Sequence, residues 1–265
     1  MPWRHWLKPL LVGLACVGVG LAPARAATEV DLALVIAVDI SYSMDPEEQA
    51  LQRDGFAQAF RNPAVHDAIR RGMLGRIAVV YMEWAGAFDQ RVVVPWSLLD
   101  NPETIMSFAD KIAGVPLRRA QRTSVAGAID FGTKLLDESG FEATRRVIDV
   151  SGDGPNNQGR LVTLARNDTL AKGITINGLP IMLKKPGYLD IQDLDAYYRD
   201  CVIGGQGAFM VPAREKDQFQ AAIRTKILME VAGVRPAPPL LLRAQGEDKA
   251  NCLVGETQWR DRMGN

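Results

Sequence analysis

Three short stretches of the sequence place oxygen donors where an apolar run gives way to a loop or helix. The first is DISYS, residues 39–43, which sets Asp39, Ser41 and Ser43 at alternate positions directly after LALVIAV (32–38). The second is Thr123-Ser124, at the head of TSVAGAIDFGTKLLDESG (123–140). The third is Asp153, at the end of RRVIDVSGDG (145–154). Carboxylates and hydroxyls are hard donors, the set that magnesium, manganese and calcium take. Two carboxylates balance a divalent charge, and hydroxyls with waters fill most of an octahedral shell. A coordination position left open would accept an outside oxygen, and an acidic side chain suits a cation with few negative ligands. The alternative is helix capping, in which Ser and Asp at a strand–helix junction accept free N–H groups. Capping accounts for one loop, not for three loops of the same donor chemistry.

Those loops act together only if the elements beneath them converge. LALVIAV is a continuous apolar run that suits a strand covered on both faces. Pro46 begins a helix with Asp45 as N-cap. Residues 76–86 and 91–99 read as a hairpin of two strands, with Pro95 marking an edge or an early end. Helices follow over 101–114 and 123–140, then a strand over 145–154. A helix over 159–173, a strand over 174–183 and a helix over 189–202 come next. A short strand over 207–213 and a helix over Glu215–Val231, with Phe219, Ile223 and Ile227 on one side, complete the run. Alternating strands and helices predict an α/β fold: a doubly wound, mostly parallel sheet with helices on both faces and one antiparallel edge strand. In such a sheet, ligands sit beyond the carboxyl ends of the strands, where the strand order reverses.

This pattern resembles the von Willebrand factor type A domain family, whose metal-ion-dependent adhesion site reads D-x-S-x-S, then a Thr, then an Asp. DISYS, TSVAGAI and SGDG supply all five positions in order: Asp39, Ser41, Ser43, Thr123 and Asp153. The resemblance spans residues 29–233 and implies a Rossmann-like fold. The bound ion it implies is Mg2+, or Mn2+ or Ca2+, and the ligand a protein partner presenting Asp or Glu. In related domains the serines and Thr bind the metal directly and the aspartates often act through water. Features such as VIDVSGDGPNN and DCVIGGQGAFMVP make the whole chain similar to exported bacterial proteins of the domain of unknown function 1194 family, a resemblance that carries no activity.

The 265 residues divide into three expected segments. Residues 1–26 read as a signal peptide: basic Arg4 and Lys8, an apolar run from Leu10 to Leu21, and Ala24-Arg25-Ala26 as the cleavage site. That run is too short to span a membrane, so no transmembrane anchor is expected after cleavage. Residues 27–233 form the domain, and 234–265 form a tail opened by the Pro-rich RPAPPLLL (235–242). Loss of Arg4, Lys8 and Arg25 leaves 28 basic residues against 31 acidic, a net charge of −3. No basic surplus is present to attract nucleic acid. An exported chain, periplasmic or secreted, favours pairing Cys201 with Cys252, with two free thiols as the alternative.

The readings left are an exported binding module, a magnesium-assisted hydrolase and a metal-free scaffold. A non-enzymatic role is expected. His66 has no evident acid or nucleophile partner, G-x-S-x-G is absent and no general base stands out. Asn156-Asn157 reads as a turn, and Ser151 as support for the site or a hydroxyl bonded to backbone. Trp84, Trp96 and Trp259 read as packing residues. Tyr42 sits either beside the metal or in the core.

Overall fold

LALVIAV forms the body of β1 (Thr28–Asp39), which is buried continuously from Leu32 onward. Only a strand covered on both faces accommodates such a run, and β1 is the central strand of the five-stranded sheet in this computed structural model. The structure describes residues 27–184, 187, 191–233 and 249–263. The other strands are β2 (Ile77–Trp84), β3 (Gln90–Leu99), β4 (Phe141–Gly152) and β5 (Thr175–Pro180). The spatial order is β3-β2-β1-β4-β5. β1 runs parallel to β2 and β4, and β4 parallel to β5. β3 is antiparallel to β2 at the edge. The pairing register slips between Val79 and Tyr81, opposite Pro95-Trp96. An edge strand tolerates the N–H that Pro95 cannot donate.

The helices are α1 (Pro46–Arg61), α2 (Pro63–Arg70), α3 (Pro102–Ala113), α4 (Val125–Asp137), α5 (Val162–Ala171), α6 (Leu194–Tyr197), α7 (Phe219–Ala232) and α8 (Val254–Met263). One apolar layer joins β1 and β2 to α1, α2, α3 and α7 through residues such as Leu34, Phe56, Phe108 and Ile223. The other joins the opposite face to α4, α5 and α6 through Val35, Trp84, Ile129 and Tyr197. Because β1 continues to β2 on one side and pairs with β4 on the other, the loops after β1 and β4 leave the same end of adjacent strands. That is the crevice at which doubly wound sheets bind ligands.

Asp45 does cap α1. Its carboxylate accepts the Glu48 N–H at 2.8 Å, and the Glu48 carboxylate accepts the Asp45 N–H at 3.0 Å. Two expectations are corrected. Residues 207–213 are no regular strand: Met210 and Ala213 make isolated parallel bridges to Gly178 and Ile181, and Pro212 interrupts the donors. The helix expected over 189–202 begins at Leu194 within the described residues and continues as a π-helical turn, Tyr198–Val202, that carries Cys201. The tail contains α8, which no apolar periodicity announces. Tertiary ties hold it instead. Cys252 is disulfide-bonded to Cys201, and the Ala250 N–H donates to Asp200 at 2.9 Å. The expected signal peptide and the Pro-rich 235–242 stretch lie outside the described residues. Among the described residues, no helix is long and apolar enough to cross a membrane.

Candidate functional site

β1 ends on Asp39, whose side chain is fully buried. Its Oδ1 accepts the Ser41 N–H at 2.7 Å, which folds the DISYS loop back over the strand end. Oδ2, by contrast, is buried with no hydrogen-bond partner. Ser41 and Ser43 bring their hydroxyls within 2.7 Å of each other, and the Ser43 hydroxyl donates to Asp153 Oδ1 at 2.6 Å. Asp39, Ser41, Ser43 and Asp153 therefore form one continuous polar cluster at the junction of β1 and β4. Burial, and then the charge of Asp153, push the Asp39 carboxyl well above the usual carboxylate range.

Thr123 comes from the loop before α4. Its N–H donates to Asn157 Oδ1 at 2.9 Å and its carbonyl accepts the Asn157 N–H at 2.8 Å. Asn156, fully buried, accepts the Ala126 N–H at 3.0 Å and so fixes the first turn of α4 to the loop after β4. Ser124 caps α4 at Gly127 N, and the Ala120 N–H donates to the Ile40 carbonyl at 2.9 Å, which holds this loop beside the DISYS loop. Thr123, Ser41 and Ser43 line one cleft of about 630 Å³, while Asp153 opens onto the adjoining hollow beside Glu48 and Lys184. Among the described residues, no three His, Cys, Asp or Glu side chains gather as a metal group. The donor set here is two carboxylates with hydroxyls, which suits hard cations.

A family of proteins of unknown function, DUF1194, matches residues 29–235. The chain belongs to the DUF1194 family. No curated protein matches it in sequence. Solved structures show the fold of this DUF1194 protein to be of the von Willebrand factor type A kind. The von Willebrand domain of the type V pili tip protein from Porphyromonas gingivalis aligns over 81% of this chain and 98% of its own, with TM-score 0.52 and 12% identity. Pilus adhesin SpaC from Lactobacillus rhamnosus GG aligns with TM-score 0.58 and 10% identity, over 78% of this chain and 31% of the adhesin. Proximal thread matrix protein 1 from the mussel byssus, in a structure with zinc in its metal-ion-dependent adhesion motif, aligns with TM-score 0.56 and 10% identity. That match covers 78% of this chain and 49% of the thread protein. The chain thus spans half or less of the latter two.

Several site neighbours in the DUF1194 protein escape the sequence reading. Lys184 donates to the Ser43 carbonyl at 2.7 Å and pairs with Glu48. Arg119 donates to the Tyr42 carbonyl at 2.7 Å and lies 4.9 Å from the Tyr42 ring centroid. Tyr42 is 55% exposed and lines the cleft, so it is not a core residue. Asn156-Asn157 are a clamp rather than a plain turn; their position just after Asp153 was the available signal. Ser151 is structural, accepting a hydrogen bond from Gln52 at 2.8 Å. Trp84 and Trp96 pack as expected, whereas Trp259 lines the cleft.

Gly152 makes room for the cluster. A Cβ there would sit 2.9 Å from Asp39 Oδ2, 3.1 Å from the Tyr198 hydroxyl and 3.2 Å from the Trp84 ring. All three are buried and confined. Gly152→Ala is expected to cost about 1–3 kcal/mol through overpacking, read as a lower denaturation midpoint. An unchanged midpoint would show that Asp39 has slack at this position.

Proposed function

We propose that this protein is an exported binding module. It holds a divalent cation through Asp39, Ser41, Ser43, Thr123 and Asp153 and uses it to bind an acidic group of a protein partner. The observation that carries this reading is the buried Asp39 carboxylate, one oxygen unpartnered and a second carboxylate beside it. A buried carboxylate with a second, part-exposed carboxylate beside it is costly unless a positive charge joins them, and the Ser41 and Ser43 hydroxyls stand beside them. The residues present therefore fit Mg2+, Mn2+ or Ca2+. When bound, the cation supplies an open position for a carboxylate oxygen from outside the chain.

The chain's own residues do the rest. The Ser41 backbone N–H orients the Asp39 carboxylate. The Asn157 clamp sets the position of Thr123. The cleft keeps one side of the cluster accessible. Adhesin and thread-protein neighbours support binding rather than catalysis as the use of the fold. The disulfide supports an oxidising compartment, periplasmic or extracellular. In this reading the binding domain spans residues 27–233, and residues 234–265 are a tail.

Calorimetric titration of Mg2+ and Mn2+ tests the reading. The wild type is expected to bind, and Asp39→Ala and Asp153→Ala to lose that binding while keeping the fold. Either variant binding as tightly as the wild type would show that the site is wrongly assigned.

A further inference from the structure

The tail helix α8 is not a bystander to the cleft: Gly255 and Trp259 line it together with Ser41 and Thr123. Its seat is built. At Gly255 a Cβ would fall 2.1 Å from the Asn156 carbonyl oxygen, so only glycine allows this approach. Glu256 accepts a hydrogen bond from the Asn156 side chain at 2.8 Å. The helix is thereby fastened to the same residue that fixes α4.

Arg122 projects from the Thr123 loop toward that helix. Its guanidinium lies 3.4 Å from the centroid of the Trp259 ring. Its backbone is left-handed at φ 74°, the only described non-glycine residue there. Left-handed backbone in a non-glycine persists where surroundings impose it and gathers at functional sites. Its Nη1 is buried with no hydrogen-bond partner. A buried guanidinium N–H left unmade is costly, and a carboxylate is the group whose geometry satisfies it.

We propose that Arg122, stacked on Trp259, is an anion-binding subsite that takes a second carboxylate of an acidic peptide bound in the cleft between the DISYS loop and α8. The proposal rests on the metal-site reading for the first carboxylate only. Tyr42 and Trp259 border the cleft that would hold an extended peptide, and the charge complementarity comes from Arg122 together with Arg262. Recognition then requires two acids at a fixed spacing, which discriminates against any single exposed carboxylate.

The test is a titration of two peptides into the purified protein with Mg2+ present: hexaglutamate, and a hexamer of glutamine with one glutamate. Hexaglutamate is expected to bind more tightly. Arg122→Gln is expected to weaken hexaglutamate about tenfold, as loss of a charge-assisted hydrogen bond does. It should leave the single-acid peptide and Mg2+ binding unchanged. Trp259→Ala should weaken hexaglutamate about two- to fivefold through loss of the stack. Magnesium-dependent binding that ignores both substitutions overturns the subsite and leaves the metal reading standing. Arg122-dependent binding without any magnesium requirement overturns the metal reading and leaves the subsite standing. Equal affinity of the wild type for both peptides, or binding of neither, overturns the subsite.

Discussion

Lys226→Ala is expected to destabilise the protein by about 3–5 kcal/mol near neutral pH, the range for removing one partner of a buried ion pair. Lys226 is buried in α7, with Nζ 2.8 Å from Asp149 Oδ1 on β4 and 2.7 Å from Glu230 Oε1 one turn on. The side chains of all three are 1% exposed or less. Asn177 on β5 donates to both Glu230 oxygens, at 2.9 and 2.8 Å, and Phe209 lies beneath the ammonium. Without Lys226, two carboxylates remain in an apolar interior without the ammonium that bridges them, and the cation left nearby is Arg145, whose guanidinium donates to the Glu230 carbonyl at 2.8 Å. The effect depends on pH, and its sign follows from Asp149. Burial pushes that carboxyl up to about 6, against the opposing pull of Lys226. Between the ordinary aspartate value near 4 and that raised value, the folded state binds more protons than the unfolded state. Stability from this group is therefore full below the ordinary value and is lost as pH rises through about 6. Removing Lys226 steepens that loss, so the variant's deficit grows from acidic to neutral pH. Urea denaturation across that range reads it. A deficit below about 1 kcal/mol, or one that shrinks with rising pH, would show that the triad does not anchor α7. Adding Asp149→Asn and Glu230→Gln to Lys226→Met should recover part of the loss, because neutral groups replace stranded charges.

This triad also shows where reading the sequence stops. LALVIAV, with no polar interruption, could only be a covered strand, and β1 is that strand. DISYS, TSVAG and SGDG follow or precede strands and helices that a doubly wound fold can bring to one edge, so alternation allowed their meeting and the family resemblance pointed to it. Asp149 stands as a single charge within the apolar VIDV, and Lys226 as one of three charges in FQAAIRTKILMEVA, 77 positions apart by their numbering. Nothing in either stretch names the other; the pairing is a fact of α7 packing on the β4–β5 face. The same holds for α8. VGETQWRDRM has no apolar stripe because its contacts are a disulfide, a glycine backbone approach, a Glu–Asn bond and an Arg–Trp stack. Periodicity detects helices that bury one apolar face, and α8 is held by other means. The strand expected over 207–213 failed for the converse reason. Its apolar residues do reach β5, but Pro212 and the Gly-rich approach permit only isolated bridges.

Asp39→Asn is expected to separate the stability of the fold from that of the cation complex, with opposite signs. The wild-type carboxylate is fully buried, its Oδ2 has no partner, and the Asp153 charge stands against it. Asparagine keeps the Oδ1 acceptor for the Ser41 N–H, which is the bond that shapes the loop. It removes the repulsion from Asp153 and the burial of a charge. In chelator, therefore, the variant should unfold at an equal or higher temperature than the wild type. Adding Mg2+ reverses the order. A ligand that binds only the folded state stabilises by about 2.7 kcal/mol at a free concentration one hundred times its dissociation constant. The wild type should gain that increment, while the variant, left with one carboxylate, should gain none at the same concentration. The two melting series cross, and the crossing is the signature of a side chain kept at the expense of the fold for the ion it holds. A variant markedly less stable than the wild type in chelator would make Asp39 a structural residue of the loop. A variant that keeps the magnesium shift would place the cation elsewhere.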